Sequence, residues 1–438
     1  MAAKGSAASK IFFGLAALGA LSQALSLVAR VRDSQTDFSV FHRGAVALSN
    51  GAGGEFYRAI DTPTGWYNCI PPTGMGALYG LAPLSPTAAA VVWAAFNLCL
   101  LGVGIWLLAG IVKRLEQDSH AYESSFLWAS GILLALGSSC IQVGQFSVLF
   151  VSCWLLYVWA IAMNRKWLAA LSIALPASVK VYPAILAGVP AVFRRHHELA
   201  RIALCLAGLV IVVPFLLYGA RAWELAIGFV DYSLLAPGGR FADSADPTAF
   251  SNQGIDAVML RYLTNQEPFH SRALWLPHLY LGASHVLFVA NLMRLAILAV
   301  TALVTSRAAR HLADSPVLAT LLVMAAWCAA LYLILPGAKG RYAVYVFPAF
   351  LPLLATSTTR PRSKWLCVAA GLALFLLMQL GPDWLNALSI SIAAPMFLWI
   401  FNLRALARRE PAFPQFPTLP PFARDEALPP KQFSYRGK

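Results

Sequence analysis

Ten apolar runs divided by short basic clusters decide what this chain can fold into. The runs are 11–31, 86–112, 123–140, 146–163, 201–219, 284–306, 316–335, 342–358, 365–380 and 385–403. A membrane-spanning helix needs about 20 apolar residues. Only 12% of the residues are charged, where a soluble domain carries about 25%. No charged shell can be drawn around a water-soluble globule of 438 residues from so little material. The sequence therefore predicts an all-α integral membrane protein, a polytopic bundle of about 12 transmembrane helices with two long outer loops.

The basic clusters fix an orientation. They are Lys113-Arg114, Arg165-Lys166, Arg194-Arg195, Arg307 with Arg310, Arg360 with Arg362 and Lys364, and Arg404 with Arg408-Arg409. With the N-terminus inside, nearly all of them fall on the cytoplasmic side. The outer loops, 32–85 and 220–283, carry a net charge of −3, which leaves +17 on the remainder of a chain of net charge +14. That asymmetry argues against nucleic acid as the reason for the positive charge. The expected location is the plasma (inner) membrane, multi-pass, with both termini cytoplasmic. Lys4 and Lys10 before Ile11–Val31 resemble a signal peptide, but the run is too long and lacks a clear cleavage site, so it reads as an uncleaved first span.

Residues 167–193 lie between two basic clusters, so an even number of crossings must fit into them. They are too few for two full spans and suffice for two short helices that turn back within the membrane. The break falls between Pro176 and Pro183, around Lys180-Val181-Tyr182-Pro183. Irregular backbone at that depth needs protein or a water-filled cavity around it. A lysine there needs a partner or a task.

The outer loops predict short helices over Ser39–Leu48 and Phe250–Leu263, the second after turn signals at Pro237-Gly238-Gly239 and Asp246-Pro247. The loops hold Tyr57, Trp66, Tyr67, Tyr79, Trp223, Tyr232, Tyr262, Trp275 and Tyr280. Such rings settle at the lipid headgroups; they also stack on sugars. Residues 1–403 form the transmembrane domain. The tail, 404–438, has seven prolines and a net charge of +4, and reads as a cytoplasmic extension along the membrane.

Asp37 opens the chemistry. It follows the first span and precedes a helix, where a carboxylate either caps that helix or takes a proton from an acceptor hydroxyl beside His42. Asp33 competes with it and is explained as an interfacial residue. Pro71-Pro72 stiffens the approach to the second span and blocks helix there. Gln142 and Gln145 occupy an outer turn, where an amide binds hydroxyls or satisfies backbone. Lys180 with Tyr182 suits a phosphate, or the lysine snorkels to the interface. Ser251-Asn252-Gln253-Gly254 with Arg261, and Lys339-Gly340-Arg341-Tyr342, put further polar and cationic groups on the same side. The seven cysteines show no metal-ligand spacing and read as small buried hydrophobes, with Cys69 in an outer loop. No phosphate-binding glycine loop, zinc-protease motif or nucleophile elbow occurs, so no nucleotide-driven reaction is expected.

In order, an acid after the first span, Pro-Pro before the second, Gly-Gln at the third-to-fourth turn, Lys-x-Tyr-Pro between short helices, and Ser-Asn-Gln with a downstream Arg resemble glycosyltransferase family 87. The resemblance covers roughly residues 11–403. It implies the C-type glycosyltransferase fold and transfer of a hexose, typically mannose, from a polyprenyl-phosphate carrier to a lipid or glycan acceptor on the outer face. By that resemblance Asp37 is the catalytic base of an inverting attack. Lys180 and Tyr182 contact the donor phosphate, and Gln145, Asn252 and Gln253 line the site. His42, Arg261, Arg341 and Tyr342 complete the expected substrate-binding set. Many members carry a histidine where Gly340-Arg341-Tyr342 stands here, and arginine binds phosphate but shuttles protons poorly. No cofactor or metal is expected; the partners are the lipid-linked donor, the acceptor and membrane lipids, with no nucleic acid. A lipid-linked-sugar flippase or a non-catalytic envelope scaffold would share the spans and the aromatic loops, but neither requires Asp37.

Overall fold

The computed structural model describes residues 2–33, 36–115, 119–235, 252–264, 279–312, 316–335, 337–355, 369, 373, 389 and 392–407. Among these the chain is almost wholly helical, as its composition requires. Six helical stretches are long and apolar enough to cross a membrane: Ala7–Asp33, Pro86–Leu115, Tyr122–Val143, His196–Tyr218, Ala283–Ala309 and Val317–Ile334. Shorter apolar helices occupy Ser147–Ala162, Lys166–Val179, Tyr182–Val192, Gly340–Leu354 and Ala393–Ala407. Nearly all of the expected span 365–380, the turns at 237–239 and 246–247, Ser251, Trp275 and nearly all of the tail lie outside the described residues.

Helix α1 (Ala2–Arg30) packs along α5 (Ser119–Val143). Between them in sequence come α2 (Asp37–Ser49), a hairpin of β1 (Ile60–Asp61) and β2 (Trp66–Tyr67), α3 (Pro72–Tyr79) and α4 (Pro86–Leu115). The antiparallel hairpin pairs Ile60 with Tyr67 and Asp61 with Trp66. The Pro-Pro pair does not block helix. Pro72 starts α3, since the first turn has no use for the N–H that proline lacks. Of the helix expected over Phe250–Leu263, Phe250 and Ser251 lie outside the described residues and Ile255–Leu263 is helical (α12), after α6 to α11 described next.

Helix α6 (Ser147–Ala162) leads to α7 (Lys166–Val179), a 3₁₀ turn (Tyr182–Ala187) and α8 (Gly188–Val192). The break comes at Lys180, which is fully extended at φ −144°, ψ 141°. Next, α9 (His196–Ala207) passes through a π-helical stretch, Gly208–Val212, into α10 (Val213–Tyr218), followed by α11 (Arg221–Phe229). The starts of α7 and α9 meet, with the Arg201 guanidinium 5.8 Å from the Trp167 ring. Further along, both reach α3: Gly74 lies against Val179, and the Thr73 hydroxyl donates to Leu209 O at 2.9 Å. Residues 180–195 must therefore run back between two segments that advance together, which is the expected short pair. The composite α9–α10 helix continues nine residues past Leu209, about 13 Å, so Lys180 stops well below its end.

The remaining helices are α13 (Ala283–Ala309), α14 (Pro316–Ile334), a buried 3₁₀ stretch (Gly340–Phe350) running into α15 (Leu351–Ala355), and α16 (Ala393–Ala407). Of the basic clusters, Arg114, Arg165 and Arg195 gather at one end of the bundle. Arg114 reaches Met163 Sδ at 3.0 Å, next to Arg165, and Arg195 reaches Thr320, at the start of α14. The C-terminal ends of α1, α5 and α14 lie at the other.

A cavity at the charge-poor end

Three turns converge where α1, α5 and α14 end. From α2 comes Asp37, from the α5–α6 turn Gln145, and from the segment after α14 Arg341; Lys180 rises from the break after α7. They line one open cavity. Its lining also includes Trp66, Tyr67, Cys69, Tyr182, Lys339 and Tyr342. Among the described residues this wall carries one acid and three cations, Lys180, Lys339 and Arg341. The surplus of positive charge in a partly desolvated pocket suits an anion.

Asp37 does not cap α2. Thr36 does, its hydroxyl accepting from Ser39 N at 3.1 Å. Asp37 takes the first helical position, where the helix dipole favours a carboxylate but no backbone N–H claims it. Instead Arg341 Nη1 lies 2.7 Å from its Oδ2, and Gln145 Nε2 donates to the same oxygen at 2.6 Å. Gln145 Oε1 in turn accepts from Lys180 Nζ at 2.8 Å. The glutamine amide is thus polarised from both sides: cation on its oxygen, anion on its nitrogen. Among the described residues Oδ1 of Asp37 has no hydrogen-bond partner.

Lys180 is only 7% exposed. Besides Gln145 it meets aromatic faces, its Nζ lying 5.8 Å from the Tyr182 ring and 5.4 Å from that of Tyr342. Arg341 lies 5.5 Å from the same Tyr342 ring. Attraction to the negative face of this shared ring offsets part of the repulsion between the two like charges. Behind it, Tyr182 and Tyr345 share a hydroxyl–hydroxyl bond at 2.5 Å, and Tyr345 bonds Ser147 at 2.9 Å.

The turn that delivers Gln145 depends on Gly144. Its φ is +74°, and a Cβ there would run into the Cβ of Phe38, next to Asp37. Trp93 Nε1 donates to its carbonyl at 2.9 Å. Gly144→Ala combines left-handed strain with overpacking, and is expected to cost about 1–3 kcal/mol. A lowered melting temperature in detergent, with loss of activity beyond the loss of folded protein, is the measurement.

Not every expected site residue arrives. His42 follows Asp37 by five residues, which turns it about 140° away around the helix. Its Nε2 lies 3.2 Å from both Leu81 O and Leu84 O, so it ties α2 to the chain before α4 and does not line the cavity. Asn252, Gln253 and Arg261 brace the cavity from behind. Asn252 bridges Lys339, Gln253 N donates to Ala338 O at 2.8 Å, and Arg261 donates to Asn252 O at 2.7 Å and to Ser389 at 2.8 Å. Asp33 is exposed, and Gln142 is absent from the lining. Conversely, Trp66 and Tyr67, read from sequence only as two more loop aromatics, line the cavity. Their place depends on the hairpin, which nothing local in the sequence announces.

That hairpin is held by Arg43 of α2. Its Nε and Nη2 grip the two Asp61 oxygens at 2.6 and 2.7 Å, and Thr64 adds its hydroxyl. Burial alone would raise the Asp61 pKa; the bonds from Arg43 and Thr64, with the arginine charge, outweigh it and leave the carboxyl below its usual value. A depressed folded pKa gives stability that is fully present above the unfolded value, about 4, and is lost as pH falls through the folded one. Between about pH 5 and 3, wild type is therefore expected to lose more melting temperature than Asp61→Asn does.

Neither the curated proteins nor the solved structures compared with this chain gave a match. A model of glycosyltransferase family 87 matches residues 70–313. That stretch contains Gln145, Lys180 and Tyr182, while Asp37 and Arg341 lie on either side of it and reach the cavity through the fold. With more than half its length matched, the chain belongs to glycosyltransferase family 87, a polytopic membrane family.

Proposed function

We propose that this membrane glycosyltransferase moves a hexose, with mannose the first candidate, from a polyprenyl-phosphate carrier to a lipid or glycan acceptor, with inversion. One observation carries the reading: Asp37 faces the same cavity as Lys180, Lys339 and Arg341. Oδ1 of Asp37 takes the acceptor hydroxyl proton as that oxygen forms its bond to the anomeric carbon. The bond from that carbon to the phosphate oxygen breaks, and the polyprenyl phosphate leaves with the electron pair. Lys180, Lys339 and Arg341 hold the charge it gains. Arg341 and Gln145 orient Asp37 through Oδ2, leaving Oδ1 for the substrate. A phosphate leaving group makes nucleotide hydrolysis unnecessary, so the residues need only position, deprotonate and bind charge.

The clustering of basic groups at the opposite end supports a cavity that opens on the outer face, with both termini in the cytoplasm. The depth of Lys180 suits a phosphate whose lipid tail remains in the bilayer. The test is transfer from a panel of polyprenyl-phosphate sugars by protein in detergent. Product from at least one donor, absent with Asp37→Asn, is expected. Equal product from both proteins would overturn the role given to Asp37.

A further inference from the structure

The cavity is lined by two kinds of residue, charged and apolar, and the proposed reaction uses the charged ones. The lining also holds the apolar Val40, Phe41 and Ile70 and two hairpin aromatics, Trp66 and Tyr67. Two-residue strands cannot hold a hairpin in water by themselves. This one is clamped by the forked Arg43–Asp61 pair, with Thr64 closing the turn. A bidentate guanidinium–carboxylate pair fixes direction as well as distance. Arg43 belongs to α2, the helix that begins with Asp37. One rigid element therefore sets both the carboxylate and the aromatic rings, while Lys180 and Arg341 come from different helices.

That division separates the substrates. The group beside the carboxylate is the one that gives up a proton, the acceptor. The phosphate belongs with the cations. Indole and phenol faces are apolar and carry negative charge density, which matches the C–H face of a pyranose, while their N–H and O–H edges meet its hydroxyls. Lipid tail is the other apolar occupant to consider. The hairpin, however, lies in the outer loop, beyond the end of the first span, and the tail must leave toward the spans.

Resting on the transferase reading above, we propose that Trp66 and Tyr67 form the platform for a pyranose ring of the acceptor, with the Arg43–Asp61 pair positioning it. The acceptor is then a glycan or glycolipid and not a bare lipid alcohol. The test uses full-length protein in nanodiscs and two readouts. In steady-state transfer, Trp66→Leu is expected to raise acceptor KM about tenfold and leave donor KM within about twofold. Trp66→Phe should restore most of the loss, and Asp61→Asn should raise acceptor KM in the same direction. An unchanged acceptor KM in Trp66→Leu, a rise in donor KM instead, or equal damage from Phe and Leu would each overturn the platform.

The second readout needs no turnover: saturation-transfer NMR with methyl α-pyranosides of mannose, glucose and galactose. Ring C–H contact is expected with wild type and Asp37→Asn, and its loss with Trp66→Leu. Contact that survives Trp66→Leu, or none with wild type, counts against the platform. If contact behaves as expected but no donor gives product, the platform stands and the transferase reading falls. If transfer proceeds and Trp66→Leu is silent in both readouts, the reverse holds.

Discussion

Asp37→Asn is expected to lower transfer by about 10²–10⁴-fold, the usual worth of a positioned general base. The amide keeps the shape and retains an oxygen for Arg341 and Gln145, so the fold should survive. Donor affinity should not fall and is expected to rise. Among the described residues of the lining, the change removes the one negative charge and leaves three cations. Arg341, 2.7 Å from the lost charge in wild type, becomes free to meet the phosphate. A variant that binds donor at least as well and turns it over hardly at all separates a proton acceptor from a structural counter-ion. Loss of both binding and turnover would mean that Asp37 serves only to hold Arg341.

The second large effect concerns Lys180. Lys180→Met removes a charge that bonds Gln145 at 2.8 Å and lies at a helix break inside the bundle. Hydrogen bonds to charged groups are worth about 1.5–3 kcal/mol, so donor KM is expected to rise about 10–150-fold. Stability should move differently. Holding an ammonium away from water is costly, and an apolar side chain of similar volume is often neutral or stabilising in its place. The melting temperature without donor should therefore hold or rise while activity falls. A large drop in melting temperature would make Lys180 a structural residue.

The sequence made the class and six long apolar helices legible because length, apolarity and basic flanks are local properties. The broken pair at 167–193 was legible for a related reason: basic clusters at both ends demanded an even number of crossings. The helix start at Pro72 was misread because proline in a first turn looks the same as proline in a breaker. Asp37 and Thr36 are adjacent candidates for one cap, and only coordinates say which hydroxyl or carboxylate points back. His42 failed for a geometric reason, since being near Asp37 in sequence put it on another side of the helix. Asn252 and Gln253 have the chemistry of ligands but meet the neighbouring segment through their backbones, and Arg261 donates to Asn252 O and to Ser389. The hairpin that brings Trp66 and Tyr67 to the cavity depends on a partner 18 residues away from Asp61, Arg43, which no window of local pattern includes.

The most direct test loads Asp37→Asn and wild type with radiolabelled polyprenyl-phosphate mannose, removes free donor, and follows one turnover after acceptor is added. Retained label on both proteins, with product from wild type alone, is the expected result. Product from Asp37→Asn at the wild-type rate would contradict the claim that this carboxylate removes the acceptor proton beside the cations that hold the phosphate.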